Sequence, residues 1–125
     1  MKLVLAGVPL GNPGDASTRL INVIKSASII AAEDSRRFQR LCQDLDVTPS
    51  AKTLSFFEGN EVERTAQLLD ELKSGAEVLV VTDAGMPTVS DPGFKLVRDA
   101  IAAGIPVEVI PGPSAVTTAL ALSGL

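Results

Sequence analysis

Two hydrophobic rhythms alternate along the chain. Short apolar runs containing β-branched residues occur at Lys2–Val8, Ser28–Ala32, Thr53–Phe57, Glu77–Thr82 and Val107–Ile110, and they read as strands. Between them, apolar positions recur at helical spacing. Phe38, Leu41, Cys42 and Leu45 fall on one face, and Val62, Ala66, Leu69 and Leu72 on another. Asn60 followed by Glu63 has the spacing of a capping box, and Gly75 stands where a helix C-cap belongs. Asp91-Pro92 reads as an N-cap and first helical residue, with Gly104 as the matching stop. The βαβαβαβαβα order predicts an α/β domain, a doubly wound, five-stranded parallel sheet with helices on both faces. The unbroken run Val78-Leu79-Val80-Val81 suits a central strand covered on both sides.

Composition sharpens this picture. Apolar residues make up 46% of 125, enough for one core, and four Phe with no Tyr or Trp make that core aliphatic. The single Cys42 and the absence of His argue against a disulfide framework, a zinc site or a Cys–His catalytic pair. No metal site is expected. The start Met1-Lys2-Leu3-Val4-Leu5 reads as a strand rather than a signal peptide, and no apolar run has membrane-spanning length. A cytoplasmic protein without membrane contact is the expectation. A net charge of −4 argues against a broad basic face gripping nucleic acid.

The candidate chemistry lies in the connections that leave the strands. Those leaving helices are short, such as Ser74-Gly75-Ala76. Those leaving strands are rich in Gly, Pro and polar groups: residues 7–15, 33–37, 58–61, 83–93 and 111–115. Ligands of open α/β sheets bind outside the carboxyl ends of the strands, where all of this material falls. Gly7, Gly11 and Gly14 match neither the dinucleotide fingerprint nor a Walker A loop, yet they let a ligand approach the backbone. In the fourth loop Pro87 and Pro92 fix φ while Gly85 and Gly93 permit unusual values. Such a loop presents backbone groups at set positions, and Asp83 at the strand tip offers a partner for an ammonium or a ribose hydroxyl. Asp91 reads more simply as a helix cap. Ser114 either caps the last helix or leaves room for a ribose. Glu33-Asp34-Ser35-Arg36-Arg37 reads either as a substrate-holding, proton-moving cluster or as an acidic helix start with a solvated basic face.

Taken together, these segments resemble the ribosomal RNA 2′-O-ribose methyltransferases of the tetrapyrrole methylase superfamily. Residues 7–15, Gly-Val-Pro-Leu-Gly-Asn-Pro-Gly-Asp, are similar to that family's G-T-P-I-G-N-L-G-D segment. Residues 31–36, Ala-Ala-Glu-Asp-Ser-Arg, resemble A-A-E-D-T-R. Asp83-Ala84-Gly85-Met86-Pro87 resembles D-A-G-T-P, Ser90-Asp91-Pro92-Gly93 resembles N-D-P-G, and Pro111-Gly112-Pro113 matches P-G-P. Five motifs stand in order across the whole chain.

The resemblance implies strand order 3-2-4-1-5. It also implies that residues 1–125 form the N-terminal domain of a two-domain enzyme, whose C-terminal domain lies beyond the equivalent of Leu125. The implied reaction is methyl transfer from S-adenosylmethionine to the ribose 2′-hydroxyl of a cytidine in 16S rRNA. The implied cofactor-binding residues are Leu10, Asp83, Gly85, Met86, Ser114 and Ala115, and Glu33, Asp34 and Arg36 are the implied catalytic or substrate residues. The full-length protein would meet the small ribosomal subunit, as a homodimer. Arg19, Arg36, Arg37 and Arg40 would supply a local basic patch. One departure is clear: where family members carry H-D-H-N-E, this chain has Phe57-Glu58-Gly59-Asn60-Glu61, so no histidine role transfers. A corrin-precursor methylase on the same fold is the alternative, as is an inactive binding or dimerisation module for the isolated domain. A phosphate-receiver domain fits poorly, because its aspartates and lysine are replaced by Gly-Val-Pro, Phe-Phe-Glu and Pro-Gly-Pro.

Overall fold

The computed structural model describes residues 1–89 and 92–125. The strands are β1 (Lys2–Ala6), β2 (Ile29–Ala32), β3 (Lys52–Ser55), β4 (Glu77–Val81) and β5 (Val107–Ile110). The helices are α1 (Thr18–Ser26), α2 (Ser35–Asp44), α3 (Glu61–Lys73), α4 (Phe94–Ala102) and α5 (Ala115–Ser123). All strand pairings are parallel, in the order β3-β2-β4-β1-β5. The fold class and strand order therefore match the expectation from sequence.

Side chains alternate across each strand, so one sheet feeds two cores. Val4, Ala6, Ile30, Ala32, Leu79 and Val81 pack against Leu20, Val23 and Ile24 of α1 and Phe38 and Cys42 of α2. Leu3, Leu5, Ala31, Val78 and Val80 pack against Leu68 and Leu72 of α3 and Leu96 and Ala100 of α4. Burial on both faces explains the unbroken apolar run of β4, as parallel sheets require.

Three local expectations are corrected. The buried face of α3 is Thr65, Leu68 and Leu72, whereas Val62 is 69% exposed and Ala66 is also exposed. Both sets have helical spacing, and contact with the sheet and α4 selects between them. Asn60 makes no capping box. Its side chain turns back instead, accepting from the Phe57 N–H at 2.9 Å and donating to the Ser55 carbonyl at 3.1 Å. The helix expected to start at Pro92 starts at Phe94, after Gly93 at φ 115°; Asp91 lies outside the described residues. Gly75 and Gly104 do end α3 and α4, at φ 103° and 74°, which a Cβ would oppose.

α5 differs from the other helices. Its apolar side chains are exposed, Leu120 at 56% and Leu122 at 85%. A nine-residue helix gains little from propensity alone, so its stability must come from packing.

Cys42 is 4% exposed, and burial pushes its thiol up from 9.0 to about 11. The unfolded thiol ionises first, so the protection it gives is complete below pH 9 and is lost as pH rises towards 11. Urea unfolding at stepped alkaline pH should show this loss, and Cys42→Ala should flatten it. A thiol reagent at neutral pH should label Cys42 only on unfolding.

Candidate active site

The topology creates one crevice. α1 and α2 cover one face of the sheet and α3 and α4 the other. β1 and β4 are neighbours, yet the chain leaves β1 for the first face and β4 for the second. Such a switch point opens a gap at the carboxyl ends of the two strands. The β1 and β4 loops meet there and pair: Val8 and Gly85 exchange N–H···O hydrogen bonds, both 3.0 Å. Gly85 adopts φ 77°, and a Cβ on it would lie 3.3 Å from Leu10, 3.5 Å from the Pro113 carbonyl and 3.8 Å from the Ala115 nitrogen. The loops leaving β1, β4 and β5 thus converge on one glycine.

Beside it, Gly7 and Gly112 bring the β1 and β5 loops into backbone contact. A Cβ on Gly7 would meet Gly112 Cα and Met86 Sδ, both at 2.7 Å. Either glycine replaced by alanine would force the loops apart. Leu10, Gly85, Met86 and Ala115 are therefore brought together, with Ser114 adjacent as the N-cap of α5; its side chain makes no capping bond.

Asp83 stands at the tip of β4. Its Oδ1 is buried without a hydrogen-bond partner among the described residues, and its Oδ2 lies 3.9 Å from Arg37 Nη1. A buried, unpartnered carboxylate oxygen is costly unless a donor reaches it. Arg37, 70% exposed, also approaches Asp34 at 4.0 Å, so it bridges two carboxylates at long, solvent-screened distances.

The Glu33–Arg37 segment forms the β2 turn and the start of α2. Asp34 Oδ1 accepts from the N–H groups of Arg36 and Arg37 at 2.9 and 3.3 Å, so Asp34 caps the helix. Glu33 Oε1 accepts from the Asp83 N–H at 3.0 Å. Both carboxylates thus have structural partners, and each keeps a second oxygen that accepts no hydrogen bond among the described residues. Arg36 points no described hydrogen bond or ion pair from its exposed guanidinium. Arg37 and Arg40 line one cleft together, whereas Arg19 lines a different groove with Glu77 and Glu108. The four-arginine patch is corrected accordingly: Arg19 stands apart, because α1 runs beside β1 and β5.

One site residue had no function assigned from sequence. Glu61, at the start of α3, accepts from the Gly93 N–H at 2.9 Å. With Glu33 on Asp83, two carboxylates hold both ends of the β4 loop. Within that loop Thr88 takes φ 70°, a strained value for a β-branched residue that persists only where surroundings fix it. Glu61→Ala should release the Gly93 amide to faster hydrogen exchange and cost about 1–2 kcal/mol in urea unfolding. Glu61→Gln, which keeps the acceptor, should recover most of that loss.

With this geometry in place, likeness to known proteins is informative. Residues 2–125 match the family described as Tetrapyrrole (Corrin/Porphyrin) Methylases. The chain is 49% identical over 124 residues to "Ribosomal RNA small subunit methyltransferase I" of Mycobacterium tuberculosis, covering 99% of this chain and 44% of that protein. It is 42% identical over 123 residues to the protein of the same name from Thermotoga maritima, covering 98% and 54%. The chain thus spans about half the length of the curated relatives it matches. Among solved structures, uroporphyrin-III-C-methyltransferase from Thermus thermophilus superposes with a TM-score of 0.71 at 25% identity, over 99% of this chain and 52% of that one. Cobalt precorrin-4 methyltransferase shares the fold, with a TM-score of 0.69 at 23% identity over 98% and 50%. The parallel order, the convergent loops and these matches agree: the chain belongs to the tetrapyrrole methylase family.

Proposed function

We propose that residues 1–125 are the N-terminal domain of a two-domain methyltransferase that acts on the ribose 2′-hydroxyl of a cytidine in 16S rRNA. The observation that carries the reading is the convergence at the switch point, where an Asp83 oxygen with no partner among the described residues lies at the strand tip beside the Gly85 junction. That oxygen fits a donor with an ammonium or ribose hydroxyl, and Leu10, Gly85, Met86, Ser114 and Ala115 offer small or apolar contacts around it. S-adenosylmethionine, when bound, supplies an electrophilic methyl group on a sulfonium.

The chain's own residues do the rest. Orientation is the largest contribution expected of them, since in-line displacement needs nucleophile, carbon and leaving sulfur aligned. An acceptor hydroxyl that took the methyl group would have to give up its proton to a base of the chain. With no histidine or tyrosine in the chain, the free oxygen of Glu33 or Asp34 is the proposed proton acceptor. Arg36 would steady a nearby phosphate. The names of the curated relatives support an rRNA substrate. The remaining length of those relatives supports a second domain that covers the apolar side chains of α5. Cytoplasmic location and a homodimer complete the proposal. Among the described residues, no helix is long and apolar enough to cross a membrane.

Calorimetry should detect S-adenosylmethionine binding to a chain extended to the relatives' length, and much weaker binding to residues 1–125. Asp83→Asn in the extended chain should weaken binding about tenfold, the loss of one charge-assisted contact. Glu33→Gln keeps an acceptor for the Asp83 N–H but loses the base. It should lower methyl incorporation into small ribosomal subunits by about 100-fold while leaving donor affinity nearly unchanged. Full turnover in Glu33→Gln and in Asp34→Asn would reject both as the base. Incorporation into corrin precursors in place of ribosomal subunits would select the alternative acceptor.

A further inference from the structure

The β1 loop and α2 enclose a cleft that shares Leu10 and Asp83 with the proposed donor contacts and extends away from Gly85, Met86, Ser114 and Ala115 along α2. Pro9, Leu10 and Pro13 line it from the loop, and Arg37, Arg40 and Leu41 from the helix. Its volume is about 240 Å³, below the roughly 300–1,000 Å³ of pockets for drug-sized ligands. A cleft of that size is on the scale of a single small ligand such as one nucleotide. We propose that this cleft is the acceptor pocket, which takes a single unstacked ribonucleotide with its phosphate on Arg37 and Arg40. The inference rests on the methyltransferase reading above and adds where the acceptor sits.

Three features of the cleft select that ligand. First, it pairs an apolar wall with two guanidiniums, the combination by which single-stranded RNA is held: bases against apolar or planar groups, phosphates on cations. Arg40 has no carboxylate within 4.0 Å among the described residues, so its charge is available. Second, Asp44 also lines the cleft. A carboxylate accepts from the exocyclic amine of cytosine or adenine and has no such donor in uracil. Third, the cleft abuts the proposed donor site. Leu10 and Asp83 line it, and Leu10 lies 3.3 Å from the Cβ position of Gly85. Acceptor and donor would be neighbours, as one-step transfer requires. S-adenosylmethionine also contains a ribonucleoside but no phosphate, so two arginines favour RNA as the occupant.

The test is a ¹⁵N–¹H titration of the 125-residue chain with cytidine 5′-monophosphate. Shifts are expected at Leu10, Arg40, Leu41 and Asp44, with a dissociation constant of millimolar order. Cytidine without phosphate and uridine 5′-monophosphate should each bind at least about threefold more weakly. Arg40→Ala, on an exposed helical position and checked for folding by circular dichroism, should weaken binding about tenfold. Four results would each overturn the pocket: no shifts, shifts confined to Gly85, Met86, Ser114 and Ala115, an unaffected Arg40→Ala, or displacement by S-adenosylhomocysteine. None of these touches the methyltransferase reading, which fails separately if the extended chain binds no S-adenosylmethionine.

Discussion

Parallel pairing of β1 between β4 and β5 is the constraint on which the site depends. Parallel strands place all their carboxyl ends on one rim, so the five irregular connections cannot be distributed over the molecule. The order β3-β2-β4-β1-β5 then puts the two longest of them, the β1 and β4 loops, on neighbouring strands whose exits diverge. The contacts at the switch point follow from that order: β1 beside β4 gives the Val8–Gly85 exchange, β1 beside β5 the Gly7–Gly112 approach, and β2 beside β4 the reach of Glu33 to Asp83. Antiparallel pairing of the same strands would separate these groups by the length of a strand, and a different parallel order would place other strands between them.

The strands and the rim were legible in the sequence because they rest on local signals. Strand cores are continuous aliphatic runs, and the rim loops announce themselves through Gly, Pro and acidic residues. What stayed hidden depends on residues far apart in the chain. Val62 and Leu68 are both apolar members of one helix, and only the docked sheet decides that Leu68 is buried. Asn60 has the side chain and spacing of a cap, but the Phe57 N–H and the Ser55 carbonyl compete for it and win. Glu61 stood with no assigned task in the segment that departs from the family pattern, because its partner is Gly93, 32 residues away.

The same distinction applies to Glu33 and Asp34. As residue types they suit proton transfer, and the sequence left open whether they are catalytic or merely begin a helix. The geometry shows that each has a structural partner through one oxygen: Asp34 caps α2, and Glu33 holds the β4 tip. These roles do not compete with catalysis. A carboxylate anchored through one oxygen has lost the side-chain freedom that would blur the aim of the other, which is how a supporting shell sharpens a site. The design also explains why alanine is an ambiguous probe at Glu33. Removing the whole side chain loosens the Asp83 backbone along with any base, whereas glutamine separates the two effects.

Charge is organised in the same local way. The chain carries 15 acidic residues against 11 basic ones, a balance unfavourable to polyanions over distance. Screening confines such repulsion to about 8 Å at physiological ionic strength. What a bound phosphate feels is therefore the groups within one Debye length. Along the α2 cleft those include Arg37 and Arg40, with Asp44 and Asp83 beside them. On the proposed reading, such a surface would attract RNA weakly from afar yet discriminate at contact, since a ligand must place phosphate and amine on the right partners at once. In that proposal the cleft selects among nucleotides, and long-range capture of the strand falls to the proposed second domain or a partner.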